Sequence, residues 1–265
     1  MSLTFNRLAP IALVYKHLLL GVAVFRIKLD LLRYASLMKK LVIFGLEDFA
    51  DIAFEYFSHD SDYEVVAFTA HAKYIKSEYR FGIPILPYEK INTLIDPKKH
   101  FFFAAVTYRE LNSLRERIAS HALSLGFTLA SYVSSHSFVW RNAKLGDHCF
   151  VFENNTIQPF SEIGNNTILW SGNHIGHHSR IGKNVFISSQ VVVSGWVIIG
   201  DNCFLGVNAT FANGITVGKN CWVNSHTLVT SDIPDQQFVV QPESARKPLD
   251  MQRLEEKLRE KSSNR

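Results

Sequence analysis

A fixed repeat of glycine-containing turns is the feature of this sequence that most constrains its fold. From residue 145 to residue 218, an aliphatic residue followed by glycine recurs every eighteen residues without a slip in register. A shorter period of six runs inside it, and every leading position except Phe211 is aliphatic. A short fixed period predicts a stacked solenoid, and a hexapeptide period is typical of a parallel β-helix. The glycine pairs are Leu145-Gly146, Ile163-Gly164, Ile181-Gly182, Ile199-Gly200 and Val217-Gly218.

Each hexad is expected to form one short strand and a corner, so that three hexads make one triangular coil. The leading residue of each hexad would point into the prism, and the residue four places later is mostly small, as a narrow interior requires. The pattern extends back through Val139 to Val133, which places the start of the coil near residue 131. Because the repeat alone describes a purely structural prism, function must come from residues on its outer surface.

Composition limits the classes of partner and the compartment. The 265-residue chain is long enough for two domains and has a net charge of +4. Residues 1–40 hold seven Lys or Arg and one acid, so they contribute +6 and the remainder −2, which gives no case for nucleic acid. Three cysteines are too few for a disulfide scaffold, and Cys149, Cys203 and Cys221 share one inward column. We expect buried, reduced thiols and a cytoplasmic protein.

The chain divides into four predicted segments. Residues 1–37 precede a natural-looking start at Met38, and we interpret them as an extension from a mis-called upstream start. Membrane contact of this segment is not expected, because its apolar stretch is short and interrupted, although a basic amphipathic surface helix is the alternative. Residues 38–130 form a small α/β domain, residues 131–240 the coil, and residues 241–265 a cap that closes the coil edge and a charged helix.

The small domain alternates strands with helices, which predicts a Rossmann-like parallel sheet. Ligands of such sheets bind at the carboxyl ends of the strands, and Gly45, Glu47, Asp48, Thr69 and Thr107 are therefore the candidate substrate contacts. A lone glycine is a weak phosphate signal, so the Gly45 loop is equally well a tight turn. The predicted strands span residues 41–44, 65–68, 101–106 and 127–132, and the predicted helices span residues 48–57 and 108–125.

A run of polar residues from Asn173 to Arg180 lies at the centre of the coil and includes His174, His177 and His178. The last two occupy the middle of a hexad, away from the inward positions. Histidine titrates near neutrality and serves as a general base, and an amine that is to be acylated must first lose a proton. A set of surface histidines on a polar face is the alternative interpretation.

Two glycine-containing turns follow the histidines, one at Gly195 and one at Gly206. Exposed backbone N–H groups at such turns are able to hold a thioester oxygen as it becomes an oxyanion. Phe186 and Trp196 are positioned to flank an extended pantetheine arm, or alternatively to pack between subunits. The spacing therefore predicts that His177 and Gly195 lie one coil apart on the same corner.

Three motifs together resemble a known family. They are the strand and turn of residues 38–45 (Met-Lys-Lys-Leu-Val-Ile-Phe-Gly), residues 172–179 (Gly-Asn-His-Ile-Gly-His-His-Ser) and residues 204–210 (Phe-Leu-Gly-Val-Asn-Ala-Thr). In this order and with an unbroken coil, they resemble the hexapeptide sugar acetyltransferases. The bacillosamine-pathway and perosamine-type N-acetyltransferases are the nearest members, with the sialic acid O-acetyltransferases more distant. The resemblance covers about residues 38–247.

The resemblance implies a left-handed β-helix assembled as a homotrimer, with acetyl-CoA between the coils of two subunits and no metal. It implies a nucleotide-linked amino-deoxysugar as the second substrate, its nucleotide held by the α/β domain and its sugar near Asn173 and His174, for synthesis of a surface polysaccharide such as O-antigen. His177 is then the base, with Gly195 as the oxyanion donor. Phe186, Gly195, Val207, Ser225 and Lys247 are the implied coenzyme contacts.

This sequence departs from the family pattern at several positions. His178 stands where an acid often polarises the base, Ser225 replaces a glycine, and Glu47 and Asp48 occupy the nucleotide loop. The expected activity is acetyl-CoA-dependent N-acetylation of a nucleotide-linked amino sugar. The alternatives are sugar O-acetylation, a non-catalytic nucleotide-sugar binder, and a β-helix metal lyase of the carbonic-anhydrase type. That lyase would need three histidines that converge across a subunit interface, drawn from His148, His174, His177 and His178.

Overall fold

The computed structural model describes residues 38–241, which form an α/β domain followed by a coil. The α/β elements are β1 (Lys39–Phe44), α1 (Asp48–His59), β2 (Tyr63–Ala70), β3 (Tyr79–Arg80), β4 (Ile83–Pro87), α2 (Ile91–Leu94), β5 (Phe101–Ala104), α3 (Ser113–Ser124) and β6 (Thr128–Leu129). Their strand order is β3-β4-β2-β1-β5-β6. All neighbours are parallel except the β3–β4 hairpin. Burial of β1 on both faces explains its unbroken apolar run.

The predicted parallel sheet is confirmed, but several elements differ from the prediction, among them the predicted strand of residues 127–132, of which only Thr128–Leu129 joins this sheet. Strand β5 ends at Ala104 rather than residue 106. Helix α3 begins at Ser113 rather than residue 108, because Glu110, Leu111 and Asn112 have positive φ angles of 51° to 68°, which no α-helix tolerates. Strands β3 and β4 were not predicted, and the two prolines of β4 ordinarily argue against a strand.

The coil is a three-faced prism of two-residue parallel strands, and it begins at residue 132, close to the predicted start. The first face consists of β7 (Tyr132–Val133), β10 (Phe150–Val151), β13 (Ile168–Leu169), β16 (Phe186–Ile187), β19 (Phe204–Leu205), β22 (Trp222–Val223) and β24 (Phe238–Val239). The second face consists of β8 (Phe138–Val139), β11 (Thr156–Ile157), β14 (His174–Ile175), β17 (Val192–Val193), β20 (Thr210–Phe211) and β23 (Leu228–Val229). The third face consists of β9 (Lys144–Leu145), β12 (Glu162–Ile163), β15 (Arg180–Ile181), β18 (Ile198–Ile199) and β21 (Thr216–Val217).

The register of the prism is that of the sequence repeat. Each strand pairs with the strand eighteen residues later, as His174 does with Val192 and Ile175 with Val193. The second residue of each strand is the leading residue of a hexad, and from Val151 onward these residues form the buried inner core. The three cysteines are free and buried in the same core, as predicted, and burial raises the pKa of the Cys203 thiol to about 12.

Three corners join the faces, and we name each by its residues. The serine corner joins the first face to the second (residues 152–155, 170–173, 188–191, 206–209 and 224–227). The histidine corner joins the second face to the third (residues 158–161, 176–179, 194–197 and 212–215). The asparagine corner joins the third face to the first (residues 146–149, 164–167, 182–185, 200–203 and 218–221).

The α/β domain packs on the outer side of the first face, which is aromatic rather than polar. Phe150 lies 5.6 Å from the rings of both Phe49 and Phe57 of α1. Just after α1, Asp60 accepts hydrogen bonds from the Tyr132 hydroxyl at 2.6 Å and the Ser135 N–H at 2.9 Å. Apolar burial and a charged anchor therefore join the small domain to the first coils.

The asparagine corner meets the small domain through a buried cation. The Arg115 guanidinium is fully buried and donates to the Oδ1 of Asn166 at 3.0 Å and to its carbonyl at 2.6 Å. It also donates to the carbonyl oxygens of Val106 and Thr107, at the end of β5. Burial lowers the pKa of Arg115 to about 9. The side-chain ladder continues from Asn166 to Asn184 at 2.8 Å, so one arginine ties the sheet to the coil.

Candidate active site

His177 and Gly195 lie one above the other on the histidine corner, as the eighteen-residue spacing predicts. A Cβ atom added to Gly195 would lie 2.7 Å from Cε1 and 2.8 Å from Nε2 of His177, closer than real Cβ atoms come to other atoms. Only glycine permits this close approach of the ring. Gly195 is buried whereas the His177 side chain is exposed, so the Nε2 edge of the ring covers Gly195, and we call the outer surface at this contact the slot.

The other ring nitrogen of His177 meets His178. The two Nδ1 atoms are 3.1 Å apart, and the ring planes are nearly perpendicular, at 86°. The His178 ring is stacked between Phe160, at 4.6 Å, and Trp196, at 4.1 Å. Trp196 therefore packs on His178, and that face of its ring does not flank a pantetheine arm. The two nitrogens of His177 have different surroundings, one a protein partner and the other the slot.

The slot over Gly195 has a polar lining. No acceptor among the described residues meets the Gly195 N–H, whereas the His177 N–H donates to the Oε1 of Gln158 at 2.9 Å. On the far side of the glycine, Oδ1 of Asn213 would lie 3.1 Å from the added Cβ. The slot thus combines an imidazole nitrogen, a backbone donor and a side-chain amide on three successive coils.

The predicted coenzyme contacts do not all lie together within one chain. Val207 and Ser225 are exposed on the serine corner, across the width of the second face from His177. The prediction that Phe186 contacts the coenzyme is wrong. Its side chain is only 3% exposed, and its ring packs against the ring of Tyr108, with 5.1 Å between the ring centroids. The aromatic first face buries Phe186 against the small domain, so it offers no surface to a coenzyme. Lys247 lies outside the described residues.

The strand ends of the small domain bring three predicted residues together. Gly45 has a φ of +129°, and an added Cβ would lie 2.8 Å from the Ala105 carbonyl oxygen, so the close approach of β1 and β5 requires glycine. Exposed Glu47 accepts two hydrogen bonds from Arg109, at 2.9 and 3.1 Å. Asp48 is exposed as the first residue of α1. One of the two acids in this loop is therefore neutralised by an arginine.

Two predicted substrate residues are wrong as side-chain contacts. The Thr69 side chain is fully buried and donates to the Leu86 carbonyl at 2.8 Å, because β2 is covered by its neighbours. Asn173 is 1% exposed and points into the prism, where its Oδ1 accepts from the Val191 N–H at 2.7 Å. Asn173 occupies the second inward position of its hexad, four places after Leu169, so the repeat itself carried this information.

His174 and Thr107 stay available to a ligand. His174 is half-buried on the outer side of the second face, next to the histidine corner. Thr107 is half-buried, and its carbonyl oxygen accepts a hydrogen bond from Arg115 at 3.4 Å. His148, by contrast, lies on the asparagine corner, where its Nε2 accepts from the Ala104 N–H. Within one chain, His148 thus lies on a different corner from His177 and His178.

Sequence reasoning missed several residues of the slot and the strand ends. Asn213 lies thirty-six residues after His177, so extending the column by one more coil would have found it. Gln158 accepts from the His177 N–H from the preceding coil, and it lies one residue before the position eighteen residues back from His177. Arg109 had no sequence signal, because its pairing with Glu47 depends on the irregular chain that follows β5.

The repeat matches two family models in adjacent segments. Residues 161–195 match the bacterial transferase hexapeptide, described as six repeats, and residues 196–230 match the hexapeptide repeat of succinyl-transferase. Residues 161–230 of the coil are therefore similar to hexapeptide-transferase repeats. The matched segments include His177, Gly195 and Val207, and the predicted recognition of a hexapeptide-repeat acyltransferase is confirmed at the level of this repeat. A search of curated protein sequences gave no match.

Solved structures resemble this hexapeptide-repeat chain over both domains. PerB from Caulobacter crescentus, solved with CoA and GDP-perosamine, is 25% identical, with a TM-score of 0.67 over 74% of this chain and 91% of that one. The acetyltransferase domain of PglB from Neisseria gonorrhoeae is 21% identical, with a TM-score of 0.67 over 75% and 94%. WeeI from Acinetobacter baumannii is 17% identical, with a TM-score of 0.53 over the same shares. The predicted α/β domain followed by a left-handed β-helix is confirmed.

Proposed function

We propose that this protein is an acetyl-CoA-dependent N-acetyltransferase that acts on the amino group of a nucleotide-linked amino-deoxysugar. The observation that carries the proposal is the pairing of His177 Nε2 with the slot over Gly195. The likeness to PerB, whose structure holds CoA and GDP-perosamine, supports the same pair of substrate classes.

We place the thioester of acetyl-CoA at this slot, beside Nε2 of His177. The floor of the slot is a glycine that no other residue can replace without striking His177, and its backbone N–H has no acceptor among residues 38–241. Val207 and Ser225, at the serine corner, would hold the remainder of the coenzyme. Acetyl-CoA would supply the acetyl group as an activated thioester.

The residues of the corner divide the chemistry between them. His177 Nε2 would accept the proton that the amine loses as its nitrogen bonds to the acetyl carbon, and would return it to the thiolate released when the carbon–sulfur bond breaks. The Gly195 N–H would donate to the carbonyl oxygen, where negative charge develops during the transfer. Because His177 is exposed on an outer corner, a bulky nucleotide sugar is able to reach it.

The small domain would hold the nucleotide at the carboxyl ends of its strands. Gly45, Glu47, Asp48 and Thr107 line this edge, as proposed from the sequence, and Arg109 adds a cation. A nucleoside diphosphate is anionic, so Arg109 would contact it more favourably than the two acids would. His174, next to the histidine corner, would meet the sugar.

A homotrimer would complete each site. Val207 and Ser225 lie across the second face from His177, and Phe160, Trp196 and Ile198 expose apolar surface at or beside the histidine corner. A second copy against this corner would cover that surface and bring its own residues to the coenzyme.

We further propose a cytoplasmic enzyme of surface polysaccharide or glycan synthesis. The part of the chain described, residues 38–241, contains no helix long and apolar enough to cross a bilayer.

Turnover with acetyl-CoA tests the function. Release of free CoA would be followed with UDP-, dTDP- and GDP-linked amino-deoxysugars, each paired with its hydroxyl analogue. The proposal expects transfer to at least one amino sugar and little to the matched hydroxyl compound. Preference for the hydroxyl would establish O-acetylation, and binding without turnover of any compound would leave a nucleotide-sugar binder. Either of these results would overturn N-acetylation.

A further inference from the structure

The nitrogen of His177 that faces away from the slot needs a partner if the ring is to act as a base. A neutral imidazole carries one proton, and the reacting nitrogen is free only when the proton is on the other nitrogen. No carboxylate among the described residues contacts the His177 ring, and its Nδ1 meets only the Nδ1 of His178. The tautomer of His177 therefore depends on its contact with His178.

We propose that His178 is a positioning residue that acts as a neutral acceptor: its bare Nδ1 holds the Nδ1–H of His177 and so leaves His177 Nε2 free for the amine. Two nitrogens 3.1 Å apart share one proton, and either ring is a possible donor. If His178 donated, the proton of His177 would move to Nε2 and close the slot to a substrate amine. The proposed function therefore requires His177 to be the donor.

The aromatic stack fixes the acceptor in place. His178 lies between Phe160 and Trp196, with interplanar angles of 24° and 10°, which opposes rotation of its ring out of the stack. The same stack sets the His178 plane at 86° to the ring of His177, with the two Nδ1 atoms in contact. An aromatic sandwich thus does the orienting that a hydrogen-bonded carboxylate does in other catalytic pairs.

The neighbouring groups among the described residues do not take up this proton. Gln158 accepts from the backbone N–H of His177 rather than from its ring, and Phe160 and Trp196 stack on His178 through their ring faces. Arg180 follows on the third face, where its nearest acid is Glu162, at 3.9 Å.

Three substitutions at His178 distinguish its role as a hydrogen-bond acceptor for His177 from its role in the aromatic stack. His178→Phe keeps the stack, since Phe160 occupies the same hexad position with a φ of 63°, but it removes the acceptor. We expect its kcat to fall by roughly 10- to 100-fold with unchanged KM values and melting temperature. His178→Asn places an amide oxygen near the position of Nδ1 and should recover most of the rate. His178→Asp should move the acid limb of the rate profile to higher pH, because a charged acceptor stabilises the imidazolium. Full activity of His178→Phe, a rate for His178→Asn no better than that of His178→Phe, or an unmoved limb would each overturn the proposal.

The chemical role rests on the proposed function, but the tautomer does not. Nitrogen-15 shifts of labelled histidines in the substrate-free protein report which ring nitrogen carries the proton. We expect the Nδ1–H tautomer for His177 in the wild type and its loss in His178→Phe. The Nε2–H tautomer in the wild type would overturn the inference whatever the activity. The expected tautomer without any acetyl transfer would instead overturn the proposed function and leave the inference standing.

Discussion

Two histidines at the same position of the hexad show how one repeat yields different chemistry. His148 and His178 each follow a leading residue by three places, and both have a φ of 59°. His148 lies under the small domain, where Ala104 donates to one nitrogen and Asn166 pairs with the other, and burial lowers its pKa to about 3. His178 lies on an open corner beside His177. The repeat sets the backbone, and the residues packed above it decide whether a histidine is buried or left partly exposed at the surface.

The largest expected effect of the comparison is on kcat, from a substitution that displaces the His177 ring and leaves the coil folded. In Gly195→Ala the new Cβ meets the far end of the movable His177 side chain, so the ring is displaced while the coil stays folded. We expect kcat to fall at least about 100-fold, as for loss of an oriented base, with little change in melting temperature.

Gly176→Ala is the matched control, because there the new Cβ would lie 2.4 Å from the backbone carbon of Ser194. It should lower the melting temperature clearly, since two coils must move apart. An active Gly195→Ala variant, or equal destabilisation by both changes, would contradict the assignment of the slot.

A second effect should appear at the buried histidine. The pKa of His148 is lowered to about 3, first by burial and then by Arg115, whereas the unfolded chain would protonate near pH 6.5. The unfolded state therefore binds the extra proton below about pH 6.5, and stability falls as the pH drops from there toward 3. Linkage gives a loss of about 2 kcal/mol between pH 7 and pH 5. Chemical denaturation at both pH values should show this loss in the wild type and a smaller one in His148→Gln. Equal losses of stability in the wild type and in His148→Gln would show that residues other than His148 cause the pH dependence.

The smallest effect concerns the joint between the small domain and the coil. Burial opposes the charge of Asp60, but hydrogen bonds led by the Tyr132 hydroxyl outweigh it and lower the pKa of Asp60 to about 2. Asp60→Asn should destabilise the protein by about 1 kcal/mol near neutral pH, through loss of the charged acceptor. Asp62→Asn removes an exposed pair with Lys39 and should change stability by less than about 0.5 kcal/mol. Urea titrations would give the free energy of unfolding of both variants. A larger loss in Asp62→Asn than in Asp60→Asn would contradict the role of Asp60 in joining the small domain to the coil.

The sequence was most informative where the structure is periodic. The eighteen-residue period placed Gly195 over His177 correctly, because stacked coils translate sequence spacing directly into distance. The same arithmetic puts Asn173 inside the prism, where the structure buries it, although the family resemblance implies a substrate contact there. Prediction failed where the chain is irregular. The positive φ angles of residues 110–112 shift the start of α3 to Ser113, and Phe186 is buried by the α/β domain, whose sequence has no repeat from which its contacts could be predicted.

The most direct test of the account compares kcat for acetyl transfer by the wild type and His177→Asn on the preferred nucleotide-linked amino sugar. Asparagine is of similar polarity at an exposed corner, so the fold should be kept, but it cannot accept the proton of the amine. The account predicts a fall of about 10²- to 10⁴-fold in kcat with KM for acetyl-CoA little changed. A His177→Asn enzyme that keeps kcat within about tenfold of the wild type would contradict the role of His177 as the base.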